Sequence, residues 1–109
     1  MKITLCYSMQ FAEIAQQTKQ ELEKLGHEAF VSETNNKYLG LDDKAKEKLK
    51  LFHKYEKDAI KEHWEKIKNS DAILVINTDK NGIKNYIGGN TFLEIGFAYI
   101  LNKKIFLLN

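Results

Sequence analysis

Proline and arginine are both absent from this chain of 109 residues, and cysteine occurs once. All 17 basic residues are lysines, set against 15 acidic ones, for a formal net charge of +2. So small an excess gives no footing for nucleic acid, and the guanidinium fork that reads phosphates and base edges bidentately is missing. No nucleic-acid partner is expected. A lone Cys6 excludes an internal disulfide. The spacing of Cys6, His27, His53 and His63 fits no metal-ligand pattern, so no metal and no other cofactor is expected. Cys6 lies within an apolar run and reads as a core thiol, which suits an intracellular, cytoplasmic protein. No apolar stretch reaches bilayer-spanning length, and Met1 to Leu5 lack the basic and apolar regions of a secretory signal. No membrane partner is expected.

What remains is globular in balance: 43% apolar and 29% charged residues, with a length that suits one domain over 1–109. Lys2 to Tyr7 reads as a short strand, apolar enough to be covered on both faces. Phe11, Ile14, Ala15, Thr18 and Leu22 recur at helical spacing, and Gly26 is a C-cap because glycine enters the left-handed region without a Cβ clash. Ala29 to Val31 is a second strand, and Ser32 to Tyr38 reads as loop. Ala45, Leu49, Phe52, Ala59, His63 and Ile67 mark a long helical stretch from about Asp42 to Lys68, with room for a bend or break. Asp42 and Asp43 favour its amino end, and Lys66 and Lys68 its carboxyl end. Ser70-Asp71 introduces the strongest strand, Ala72 to Ile76. A glycine-bearing loop, Thr78 to Gly89, leads to a helix over Thr91 to Leu101, with Phe92, Ile95, Ala98 and Tyr99 as one possible inner face. Lys104 begins a last strand, Ile105 to Leu108.

Alternating strands and helices imply crossover connections and a small parallel sheet covered by helices. A sheet order of 2-1-3-4 places a topological switch between strands one and three, and ligands of open α/β sheets bind outside the strand carboxyl ends at such a switch. The working surface is therefore expected there, centred on Tyr86 to Gly96. The sequence stops at the fourth strand, where doubly wound domains commonly continue. Either truncation of the chain or cover by a second copy follows, and a homodimer or higher homo-oligomer is expected.

Glu94 is the leading chemical candidate: one turn inside a helix after a glycine-rich loop, its carboxylate suits a nucleophile or general base. The competing reading is a capping box, with Thr91 as N-cap and Glu94 returning to its amide. Gly88, Gly89 and Asn90 offer backbone amides to a ligand, in a loop that matches neither a Walker motif nor G-x-G-x-x-G. Tyr7 and Ser8 close the first strand, and Ser8 reads either as a donor to sugar or phosphate or as a helix cap. Asn77 and Asp79 leave the third strand on the same side and suit ribose hydroxyls, or simply start the loop. Asp71 belongs to the opposite end. Phe11 and Trp64 are read as packing residues, and Tyr86 as either a ligand contact or a packing residue.

The segment Asn85-Tyr86-Ile87-Gly88-Gly89-Asn90-Thr91-Phe92-Leu93-Glu94-Ile95-Gly96-Phe97-Ala98-Tyr99, followed by Leu101 to Phe106, resembles the nucleoside 2-deoxyribosyltransferase superfamily. The shared elements are a threonine three residues before a glutamate, then Glu94-Ile95-Gly96-x-Ala98, a polar turn over Asn102 to Lys104, and a strand from Ile105. Ser70 to Asn77 and the first strand and turn extend the likeness loosely over most of the chain. The resemblance implies a flavodoxin-like three-layer domain and cleavage of a nucleoside or nucleotide N-glycosidic bond. Glu94 would attack the anomeric carbon, with transfer to a base or hydrolysis by water as outcomes. It implies that Tyr7 and Ser8 contact the sugar and that Asn77 lies near the substrate, a small nucleoside or nucleotide. Two positions depart. Many members carry an aspartate six residues before the glutamate, which assists the leaving base; here that residue is Gly88, and Asn90 replaces a common glycine. Members also continue past the last strand, with later residues completing a neighbour's site. Asp79 is the available spatial substitute for the missing acid.

An inactive nucleotide-binding or structural relative is therefore the alternative to an enzyme. A flavin-binding electron carrier fits less well, because Ser8-Met9-Gln10-Phe11 lacks glycine and a run of hydroxyls. So does a receiver domain, because no paired aspartates follow the first strand and the third ends in Asn77.

Overall fold

The computed structural model of the protein describes residues 1–56 and 59–109, with side chains outside 53–60. Four parallel strands, β1 (Lys2–Cys6), β2 (Glu28–Phe30), β3 (Ala72–Val75) and β4 (Lys104–Leu107), form one sheet in the order β2-β1-β3-β4. The helices are α1 (Ala12–Lys24), preceded by a 3₁₀ turn at Met9–Phe11, then α2 (Asn35–Tyr38), α3 (Asp43–Glu56), α4 (Ala59–Lys68) and α5 (Gly89–Ile100). Cys6 pairs with Val75 and Val75 with Leu107, so the carboxyl ends of β1, β3 and β4 are level.

Strand periodicity divides the core into two. Ile3, Leu5, Tyr7, Ala72 and Ile76 face Phe11 and Ala15 on one side. Cys6, Ile73 and Val75 face Ile67 of α4 and Ala98 of α5 on the other. Leu5, Ile67, Ile73 and Val75 are fully buried; each such side chain contributes about 1.5–3 kcal/mol over its exposed state. This is the three-layer, flavodoxin-like arrangement, with the expected strand order. Among the described residues no helix is long and apolar enough to cross a membrane.

Local chemistry accounts for the element ends. Gly26 takes φ +90° just past α1. Its N–H donates to Glu23 O and that of His27 to Leu22 O, the paired bonds of a Schellman motif. Asp42 caps α3, accepting from the Ala45 amide at 2.8 Å. The long helical stretch forms α3 and α4, and the bend or break expected within it lies outside the described residues, at 57–58.

Three expectations change. The segment Ser32 to Tyr38, expected as loop, contains α2, because Asn35 and Tyr38 are buried and Asn35 is held from both sides. The last helix begins at Gly89 with Gly88 as N-cap, and the Phe92 amide donates to Gly88 O at 2.9 Å. Thr91 is therefore inside the helix and buried, and the capping box does not form. The inner face of α5 is also rotated: Thr91, Ile95 and Ala98 point inward, whereas Phe92 and Tyr99 are exposed.

Candidate functional site

Cys6 and Tyr7 end β1 and, by strand alternation, leave it on opposite faces. The Ile76 amide donates to Cys6 O at 3.0 Å, carrying the β1–β3 pairing one residue past β3. From this point β1 continues into α1 on one face, while β3 continues through the 78–88 loop into α5 on the other. That divergence is the switch point at which α/β sheets bind ligands.

Glu94 projects from the middle of α5 toward α4. Its carboxylate Oε2 lies 2.8 Å from His63 Nε2, and the two side chains are about equally buried, at 12% and 13% exposure. Cys6 Sγ lies 3.7 Å from the same Nε2. The sulfur, the ring nitrogen and a carboxylate oxygen all fall within 4.8 Å of one another. Cys6 itself is fully buried. Burial, and then the Glu94 charge, push its thiol well above the ordinary range, so it is no thiolate nucleophile at neutral pH. Glu94 thus brings to the trio a carboxyl group that keeps a narrow edge of solvent contact.

The other candidate residues divide into several groups. Tyr7 donates to Asn35 Oδ1 at 2.6 Å and accepts from the Ser32 amide at 3.1 Å. Burial raises its hydroxyl pKa far up; the Ser32 amide offsets part of this and the Glu94 charge adds to it. Ser8 donates to Gln10 Oε1 at 2.5 Å, and Gln10 donates on to Glu47. Lys50 also donates to Gln10 Oε1, and its ammonium pKa is lowered by burial and then by the charge of Lys80, with Glu47 opposing. Gln10 therefore links Ser8 to both an acid, Glu47, and a base, Lys50. Lys80 stands 4.6 Å from the centroid of the Tyr86 ring, which packs against the core cluster containing Tyr7.

Asn77 is buried, and its amide forms a reciprocal pair with the Asn109 backbone at 2.9 and 3.1 Å. Asp79 accepts from the Asn85 amide at 2.8 Å and so closes the loop on itself. Gly88 has room for nothing larger without crowding, since a Cβ there would lie 3.3 Å from the Tyr86 hydroxyl oxygen. Gly89 and Asn90 are exposed on the first turn of α5.

The residue missed in the sequence is His63. Its only signal is the i, i+4 spacing of Ala59, His63 and Ile67, which marks a helix face and says nothing about a partner. Cys6 and His63 are 57 residues apart, and only the packing of α4 and α5 against the sheet at the end of β1 brings the three side chains together. A separate open groove runs along the β2 edge past His27, Phe30, Asn35 and Lys66, and Glu94 takes no part in it. No known family model matches the chain, and no curated protein matches it.

Proposed function

We propose that the protein cleaves the N-glycosidic bond of a nucleoside or nucleotide, by transfer to a base or by hydrolysis, with Glu94 as nucleophile. The observation that carries this reading is the direction of Glu94. Its carboxylate is not spent on the helix amino end but is held by His63 behind the end of β1, with part of its surface still open. A carboxylate so placed can bond to the anomeric carbon as the base departs, dividing one difficult displacement into two. The resemblance around Thr91 to Ala98 supplies the reaction class. Ser8, Asp79 and the exposed amide edge at Gly88 to Asn90 are the substrate-binding candidates, with Tyr7, Asn77 and Thr91 behind them.

The test is free-base release from purine and pyrimidine substrates, as ribosides and deoxyribosides, with and without a 5′-phosphate. Release is expected from the wild-type protein and its loss in Glu94→Ala, with a glycosyl adduct on Glu94 in intact-mass spectra. Silence across the panel would sink the enzyme reading.

The inactive nucleotide-binding or structural relative is favoured by two observations. Gly88 carries no acid, and the Asn77 amide is already engaged by Asn109. Saturable nucleotide binding without base release is its signature.

A homodimer belongs to the same proposal. β4 is an edge strand with Phe106 and Leu107 exposed, and Tyr99 and Ile100 of α5 are three-quarters exposed. Unpaired edges and clustered apolar side chains favour association. Sedimentation velocity at micromolar concentration should give a dimer that Leu107→Lys dissociates; a wild-type monomer refutes it.

A further inference from the structure

We propose that Cys6, His63 and Glu94 form a three-ligand site for a zinc-class divalent cation. The inference stands apart from the glycosidase reading, because it concerns what this trio binds when no nucleoside is present.

His63 Nε2 carries either one hydrogen or one lone pair, yet two groups converge on it: Glu94 Oε2 at 2.8 Å and Cys6 Sγ at 3.7 Å. As a donor, Nε2 serves the carboxylate and offers nothing to the thiol hydrogen. As an acceptor, it serves the thiol and leaves the carboxylate facing a lone pair. Nε2 cannot donate to the carboxylate and accept from the thiol at once; a hydrogen on it is shared at best with the weakly accepting sulfur. A cation at the centre satisfies all three at once, because each atom then directs a lone pair at the same point.

Zn–S and Zn–N bonds of about 2.3 and 2.05 Å at a tetrahedral angle place sulfur and nitrogen roughly 3.6 Å apart. The observed separation is 3.7 Å. The same estimate is about 3.4 Å for nitrogen and oxygen and about 3.6 Å for sulfur and oxygen, so the His63–Glu94 pair has to open by roughly 0.6 Å and the carboxylate, within 4.8 Å of the sulfur, has to swing toward it by up to about 1 Å. Those two side chains, unlike Cys6, keep a fringe of solvent in which to move.

Thiolate and imidazole together select zinc-class ions over magnesium and calcium, which prefer oxygen alone. On binding, the thiol proton leaves to solvent and the imidazole adopts the tautomer protonated at Nδ1. One thiolate and one carboxylate then neutralise a doubly charged ion, leaving no net charge at a largely buried position. Three protein ligands leave a fourth position for water or another small ligand. An ion held here takes the Glu94 carboxylate as a ligand and so withdraws it from attack on a sugar.

The test uses the full chain, reduced and stripped with a chelator, then titrated with cobalt(II) and zinc(II). Cobalt should bind at one equivalent with a thiolate-to-metal charge-transfer band, and zinc should displace it. Cys6 is the sole cysteine, so the band identifies its ligand without any variant. Zinc should also protect Cys6 from alkylation. Cys6→Ser should abolish the band, and His63→Gln and Glu94→Gln should each weaken zinc by more than about tenfold. Absence of the band in the wild-type protein, or zinc affinity unchanged in all three variants, overturns the site. Base release assayed in chelator tests the glycosidase reading separately, so either can fail alone. Where release is found, zinc should suppress it and chelator restore it.

Discussion

Tyr7 and Cys6 leave the end of β1 on opposite faces of the sheet, and their polar atoms meet different surroundings. On the Tyr7 side every group has its own partner. The hydroxyl donates to Asn35 and accepts from Ser32, and the Asn35 amide donates to Ala12 O at 3.2 Å. That closed network ties α2 to the start of α1 and gives a four-residue helix a reason to exist. On the Cys6 side a thiol and a carboxylate both converge on one imidazole nitrogen. Buried polar groups nearly always have at least one hydrogen-bond partner. A set whose bonds are all used holds structure, whereas one in which two groups compete for a single nitrogen beside solvent is free to take a ligand or react.

The comparison makes a sharp forecast about activity. Glu94→Gln should lower base release by a factor on the order of 10³ or more, the scale seen when a covalent nucleophile is removed. Its stability should change by less than about 1 kcal/mol, because the residue is partly solvated and its partner His63 can turn to water. Tyr7→Phe should do the reverse. It strands the Asn35 carbonyl and the Ser32 amide in a buried place, at a cost of about 1–3 kcal/mol in urea unfolding. Base release per folded molecule should fall far less than in Glu94→Gln. A Tyr7→Phe protein of undiminished stability with activity as low as Glu94→Gln would invert the comparison and move Tyr7 into the chemistry.

The sheet was legible from the chain because its signals are local. Ile3 to Cys6 and Ala72 to Val75 are apolar runs bounded by polar turns, and their alternation with helical periodicity leaves few topologies. Asp42 and Gly26 were legible for the same reason: a cap acts within one turn. The misreadings fall where tertiary contacts overrule local ones. Thr91 and Glu94 have the spacing of a capping box, but burying Thr91 and pairing Glu94 with His63 extends α5 back to Gly88. Phe92 and Tyr99 are as apolar as Ile95 and Ala98, so composition could not say which stripe of α5 faces the sheet. Ser32 to Tyr38 looked like loop because Asn35 is polar, and its pairing with Tyr7 lies 28 residues away in the chain. Of the candidate site, Glu94 was visible in sequence; His63 and Cys6 were visible only as core-facing positions.

The smallest effect is expected at the amino ends of the strands, far from both networks. Asp71 accepts from the Lys2 amide at 2.8 Å while its own amide donates to Lys2 O. The Lys2 N–H holds its carboxyl pKa below the usual value; slight desolvation opposes this, and the terminal amino group, Lys103 and Lys2 add to the lowering. A carboxyl whose pKa is depressed by folding stabilises the fold above its unfolded pKa and loses that contribution as pH falls through the folded one. Asp71→Asn keeps an acceptor for the Lys2 amide and removes only the charge. The wild-type protein should therefore unfold at slightly higher urea than Asp71→Asn at neutral pH, with the gap constant down to about pH 5 and closing below about pH 4. Because the carboxylate is exposed, added salt should shrink the gap as well. A gap that persists unchanged to pH 2 would place its source in the shape of the turn, and the amino end would then join the Tyr7 network as a structure held by hydrogen bonds alone.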